Sequence, residues 1–210
     1  MIKEDRVGKE MILQSTKYQK QNINLSSAPW TMHEFFAGSG LVAYGLKGMF
    51  MPVWANDISE QKAAVYEANF GFERFILDDI KNIKGRDLPF AHLSWASFPC
   101  QDLSLAGSIG GIHASRSGLV WEWLRVLDEM DNKPKILLLE NVAGLLSTNG
   151  GNNYRVLHMA LVDRGYHCGA ILLNASHFVP QSRPRVFIIA VHESCSIPEE
   201  LVGTGPCWLH

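Results

Sequence analysis

The sequence predicts an α/β fold, a doubly wound and mostly parallel sheet with helices on both faces. Three observations carry this. Short apolar runs that read as strands alternate with segments of helical periodicity. The connections are short. The chemically notable residues Gly38, Asp57, Asp79, Cys100 and Glu140 each fall just after a predicted strand, the edge where such sheets collect ligands.

The first confident strand is Thr31 to Phe36, running into Ala37-Gly38-Ser39-Gly40 and a helical pattern to about Met49. Pro52 to Asn56 is a second strand. Ser59 is placed to cap a helix carrying Ala63, Ala64, Tyr66 and Phe70. Arg74 to Leu77 and His92 to Ser97 are the third and fourth strands. Gly118 to Met130 is helical, with Leu119, Trp123, Val126, Leu127 and Met130 on one side. Ile136 to Leu139 is an uninterrupted apolar strand, followed by a helix from Tyr154 to Arg164. His167 to Leu173 and Val186 to Val191 complete the strands.

The bulk numbers exclude several classes. The chain has 210 residues, 47% hydrophobic and 19% charged, enough for one sizeable domain: a lead-in arm over 1–30, a catalytic-sized unit over 31–192 and a tail over 193–210. A net charge of −2 gives no global attraction to nucleic acid, so any such contact must be local. Cys100, Cys168, Cys195 and Cys207 form no CxxC pair, so no metal site is expected. No apolar run approaches the roughly 18 residues that span a membrane. Met1 to Gln21 is polar throughout, unlike a secretory signal, which points to the cytoplasm.

Gly38-Ser39-Gly40-Leu41-Val42-Ala43 fits G-x-G-x-x-[GA] between a strand and a helix, and Asp57 ends the next strand. Glycines let a ligand approach the backbone, and the acid can accept from ribose hydroxyls, a Rossmann-like nucleoside signature. NAD and S-adenosylmethionine both satisfy it. Asp79-Ile80 can grip an adenine through its amine and ring face, or cap a helix. Cys100, after a buried strand and before a long loop with Gly107, Gly110 and Gly111, is a natural nucleophile. Glu140, at the mouth of the next buried strand, is costly unless hydrogen-bonded or functional. Gln181-Ser182-Arg183-Pro184-Arg185 brings two guanidiniums to the last strand.

Together these motifs resemble the C5-cytosine DNA methyltransferases, bacterial and phage enzymes in particular. Phe35-Phe36-Ala37-Gly38-Ser39-Gly40, Asn56-Asp57, Asp79-Ile80, Phe98-Pro99-Cys100-Gln101, Glu140-Asn141-Val142, Asn174-Ala175 and Gln181-x-Arg183-x-Arg185 stand in the family's order across residues 31–191. The resemblance implies an S-adenosylmethionine-dependent methyltransferase fold acting on double-stranded DNA. It implies Cys100, Glu140, Arg183 and Arg185 as catalytic residues. Phe36, Ala37, Gly38, Ser39, Gly40, Asp57, Ile58, Asp79, Ile80, Pro99 and Leu119 would surround the cofactor, and Gln101, Ser104, Arg116 and Gln181 would meet DNA.

Phe98, Leu103, Glu34 and Asp78 depart from the family pattern without removing a chemical group. Nothing after Val191 matches the family's target-recognition region or its last cofactor motif. The resemblance therefore implies a catalytic half that needs a complementing part, either C-terminal to it or on a second chain. An inactive or DNA-binding remnant of the family is the alternative. A nicotinamide oxidoreductase would leave the cysteine and Glu-Asn-Val motifs unexplained.

Overall fold

The computed structural model describes residues 30–99 and 118–202. Cys100, Gln101, Ser104 and Arg116, the loop glycines, the lead-in arm up to residue 29 and the tail from 203 lie outside the described residues.

The strands are β1 (Trp30–Phe35), β2 (Phe50–Asp57), β3 (Phe75–Leu77), β4 (Leu93–Ala96), β5 (Ile136–Val142), β6 (Tyr166–Asn174) and β7 (Pro184–His192). They form one sheet in the order β3-β2-β1-β4-β5-β7-β6. The first five are mutually parallel. β7 is antiparallel to both of its neighbours. This corrects a strict reading of strand–helix alternation: β6 passes to β7 through a short turn, and without a crossover helix the returning strand must run backwards. Pro52 sits inside β2, where it has no N–H to give β1. The ladder answers with a register shift between Met32 and His33.

The helices are α1 (Leu41–Gly45), α2 (Glu60–Phe70), α3 (Leu119–Asp128), α4 (Gly144–Ser147) and α5 (Asn152–Val162). Ser59 caps α2, its hydroxyl accepting from the Lys62 amide at 3.5 Å. α1 stops four residues short of the expected Met49. Gly45 and Gly48 interrupt it, Gly48 with φ +86°, and β2 starts at Phe50.

Register separates the faces. Phe35, Ala96, Leu137, Leu139, Val186, Ile188 and Ala190 point to one side, where α3, α4 and α5 bury them in the main core. Met32, Glu34, Ala55, Leu93, Trp95, Leu138, Glu140 and Phe187 point to the other. There α1 and α2 cover β1, β2 and β3. Ile136 and Leu138 of β5 reach the cluster under α1, but over β7 and β6 no described helix covers this second face. Buried Leu137 and Leu139 alternate with half-buried Ile136 and Leu138. β6 leaves Ile171 and Leu172 46% and 50% exposed, one to each face.

Candidate active site at the carboxyl edge of the sheet

A cavity of about 660 Å³ lies over the second face, between the loop after β1 and the open half of the sheet. That is within the usual size range for a ligand pocket. Its walls include Phe36, Ala37, Gly38 and Ser39 from that loop, Trp95 from β4 and Ser97 just after it, and Glu140 from β5. Arg183, Arg185 and Phe187 line the opposite side, with Leu173, Asn174, Ala175 and Phe178.

The loop is shaped by backbone demands. Gly38 has φ +57° and Phe36, without glycine's freedom, φ +56°. A non-glycine residue there is strained, and such strain gathers at ligand sites. The Gly38 amide donates to Asp57 Oδ2 at 2.9 Å, and the Ser59 amide to Oδ1 at 3.0 Å. Asp57 thus fastens the glycine turn to the end of β2. Lys62 lies 3.9 Å from Oδ2, with its chain 3.9 Å from where a Gly38 Cβ would sit. Gly40 serves packing, because a Cβ there would meet the Phe70 ring at 2.4 Å. Only a short lysine-flanked space lies above Gly38, so the backbone is open to a close-lying ligand. The loop, the acid and the cavity fit an adenosine-bearing cofactor.

The opposite wall is built by β5 and β7. Val142 pairs with Arg185 and Glu140 with Phe187, so Glu140 and Arg185 share one face. Arg185 Nε forms an ion pair with Glu140 Oε1 at 2.9 Å, the two side chains being 21% and 23% exposed, while its Nη1 donates to the Pro184 carbonyl at 2.8 Å. A half-shielded pair of this kind holds the carboxylate in one orientation while leaving its second oxygen for a ligand. Glu140 belongs to the strand and caps no helix. Asn141, on the opposite face, is buried and donates to the Phe98 carbonyl at 2.9 Å. That bond ties the segment leading to Cys100 to the strand that carries Glu140. Asn174 closes the other loop: its Oδ1 accepts from the Arg183 amide at 2.8 Å and the Ser176 amide at 3.1 Å.

Not every expected residue reaches the cavity. Ile80 is 3% exposed and belongs to the main core, while Asp79 caps the turn Ile80–Asn82 by accepting from the Lys81 amide at 3.0 Å. Ile58 and Pro99 are exposed and are not among the residues lining the cavity, Leu119 packs on the core, and Gln181 is exposed in the turn before Arg183. Other wall residues carried no motif signal. Glu34 is fully buried against the cavity, and neither carboxylate oxygen makes a hydrogen bond of standard geometry. Burial lifts its pKa to about 8, opposed only in part by the facing amides of Ala43 and Val42 and the Tyr66 hydroxyl. Trp95 donates to the Ser97 hydroxyl at 2.8 Å and faces Phe187 at a ring distance of 6.3 Å.

A sheet in this strand order, with a glycine turn fastened by an acid at its carboxyl edge, defines the S-adenosylmethionine-dependent methyltransferase fold. Residues 30–203 match the model of the C-5 cytosine-specific DNA methylase family, and the chain belongs to that family. S-adenosylmethionine is accordingly the indicated methyl donor. Among curated relatives, the type II methyltransferase M.Bsp6I of Bacillus sp. (strain RFL6) is 38% identical over 73% of this chain and 50% of its own length. M.BsuFI of Bacillus subtilis is 32% identical over 87% of this chain and 44% of its own. The crystal structure of S. pombe Dnmt2 methyltransferase superposes with a TM-score of 0.63 at 25% identity, covering 78% of this chain and 49% of that one. The chain thus spans about half the length of the curated relatives it matches.

Proposed function

We propose that this chain is the catalytic half of a DNA (cytosine-5-)-methyltransferase acting on a flipped-out cytosine in double-stranded DNA. The single observation that supports it best is the Glu140–Arg185 pair at 2.9 Å, on the wall of the cavity and beside the strand that leads to Cys100.

Bound S-adenosylmethionine supplies an electrophilic methyl group on sulfur. The protein's task is to make cytosine C5 nucleophilic, which it is not by itself. The Cys100 thiolate adds to C6 and forms a covalent adduct, with the ring's π electrons driven toward C5. Glu140 holds N3 and the exocyclic amine, meeting the charge that develops in the ring. Arg185 orients Glu140, and Arg183 stands at the same rim to meet the base oxygen. After methyl transfer the C5 proton is lost and the thiol is eliminated. The base must leave the duplex to reach this wall; methyltransferases are named among such base-flipping enzymes. Phe36, Ala37, Gly38, Ser39 and Asp57 would hold the cofactor's nucleoside end; Asp79, expected at its adenine, caps the Ile80–Asn82 turn outside the cavity lining. Gln101, Ser104, Arg116 and Gln181 would contact DNA.

A complementing polypeptide completes the enzyme in this reading. Its support is physical: the cavity is bounded on one side by a sheet face that no described helix covers, and Leu173 and Phe178 at its rim are 38% and 76% exposed. No helix among the described residues is long and apolar enough to cross a membrane. We place the enzyme in the cytoplasm with its DNA.

The test is a fluorocytosine duplex offered to the chain with a complementing half from a relative. A covalent adduct lost in Cys100→Ala and slowed about a hundredfold or more in Glu140→Gln is expected. An adduct that persists in Cys100→Ala would overturn the mechanism. No adduct with any complementing half would make the chain a binding remnant of the family.

A further inference from the structure

The cavity is lined by two kinds of group that share one preference. Trp95, near the end of β4, is 9% exposed and part of the wall. Its indole Nε1 donates to the Ser97 hydroxyl at 2.8 Å, and its ring meets that of Phe187 at 6.3 Å with 66° between the planes. An indole has one donor and no acceptor. With that donor spent along its own chain segment, Trp95 offers the cavity only carbon surface and π density. Phe36 and Phe187 line the same space.

The register places Trp95 beside a carboxylate. Glu34 of β1 pairs directly with Trp95, so both side chains lie on the second face. Glu34 lines the cavity, is fully buried, and has no hydrogen-bond partner of standard geometry for either oxygen. Two nearby cations are committed elsewhere: Lys62 lies against Asp57, and Arg185 against Glu140. A buried carboxylate without a partner is costly. A cationic ligand offsets that cost, and aromatic faces favour the same charge. On its other side Trp95 pairs with Leu138, two residues before Glu140. Trp95 thus stands between the glycine turn and the Glu140–Arg185 wall. A methyl group passing from a cofactor on the turn to a base on that wall must cross this interval.

We propose that the Trp95 ring recognises the sulfonium of the methyl donor and so distinguishes S-adenosylmethionine from the spent S-adenosylhomocysteine. This rests on the cofactor-site reading above. The two ligands share the nucleoside, the ammonium and the carboxylate. Only the donor carries the sulfonium charge, which is lost when the methyl leaves. The loaded cofactor is therefore held more firmly than the product.

The test compares the two ligands by ligand-observed NMR titration, a method that measures weak binding, on the 210-residue chain. The wild type should bind S-adenosylmethionine about fivefold more tightly than S-adenosylhomocysteine, the worth of one shielded cation–π contact. Trp95→Leu should bring that ratio below about twofold, chiefly by weakening the donor, with the product's affinity within about threefold of wild type. Replacing tryptophan with a fluorinated tryptophan drains the negative face of the ring and keeps its shape. Among the described residues Trp95 is the tryptophan on the cavity wall, so this labelling should also lower the ratio, and it serves where the leucine variant fails to fold. An unchanged ratio in the leucine variant, or under fluorination, overturns the role of Trp95 and leaves the cofactor site standing. Equal binding of the two ligands by the wild type does the same. Absence of binding of either ligand overturns the cofactor site and the proposal with it.

Discussion

The two halves of the sheet are built to different standards. The β1–β2–β3 half is covered on both faces. Trp54 and Phe35 join the main core on one side, and Ala55, Ala63, Tyr66 and Phe75 pack under α2 on the other. The β5–β7–β6 half is covered by described helices on one face only; β4, buried throughout, and Ile136 and Leu138 of β5 still pack on the second face against the cluster under α1. Beyond them that face carries Glu140, Arg185 and Phe187. The fully packed half ends in the glycine turn and Asp57, both fastened by hydrogen bonds of 2.9–3.0 Å. The half-packed side carries the residues proposed to act on the base. A cofactor that stays bound through chemistry suits a rigid, self-sufficient cradle. A substrate that arrives on a polymer needs an open side.

The contrast is sharpest between consecutive residues of β5. Leu139 is 1% exposed in the main core, while Leu138 is half-buried at the margin of the smaller cluster around Met32, Ala43 and Leu93. Leu139→Ala is expected to lower unfolding stability by about 3 kcal/mol and Leu138→Ala by about 1 kcal/mol, measured by urea denaturation of the chain alone. Equal losses would mean that the second face is covered after all.

The covered half predicts its own pH dependence. His33 and Glu34 are adjacent in β1, point to opposite faces and are both buried. Burial lowers the His33 pKa to about 4, partly offset by its bond to the Pro89 carbonyl, and raises that of Glu34 to about 8. The unfolded chain binds the extra proton at His33 between pH 4 and 6.5, so stability there rises with pH. The folded chain binds the extra proton at Glu34 above pH 4.5, so its contribution is lost as pH climbs toward 8. The two offset each other up to about pH 6.5, beyond which stability falls by at most about 1.4 kcal/mol per pH unit. Glu34→Gln should flatten that alkaline decline. A decline that survives the substitution would assign it elsewhere.

The smallest effect is expected at Lys62. Its pairing with Asp57 at 3.9 Å is made from a side chain 56% exposed, so Lys62→Ala should cost less than about 0.5 kcal/mol in thermal unfolding. A larger loss would mean that the glycine turn depends on the lysine and not on the two amides that Asp57 already holds.

Much of this architecture was readable beforehand because it rests on local pattern. Strand–turn–helix alternation, the Ser59 cap and the glycine turn each lie within a short window of sequence. What was hidden depends on partners distant in the chain. An apolar run such as Val186 to Val191 looks the same in either direction, and only the missing helix before it hinted at β7's reversal. Glu140 and Arg185 were both singled out, but no spacing rule pairs residues across an antiparallel ladder. Ile80 was expected against a purine ring and instead fills the core, because an isoleucine gives the same signal in either place. Arg125 and Asn141 went unassigned for a related reason: they act on backbone carbonyls, which leave no trace in side-chain sequence.

β6 has one more consequence. It is a nine-residue edge strand, Tyr166–Asn174, without a charge or a proline. The opposite edge, β3, has only three residues to offer. Long, flat, apolar edges recruit other strands, and proteins normally blunt them. A chain with such a border is safe only in company: left by itself at high concentration it should stick to its own kind before it meets any DNA. The same bare edge that would let another polypeptide add a strand lets one copy of this chain add to the next.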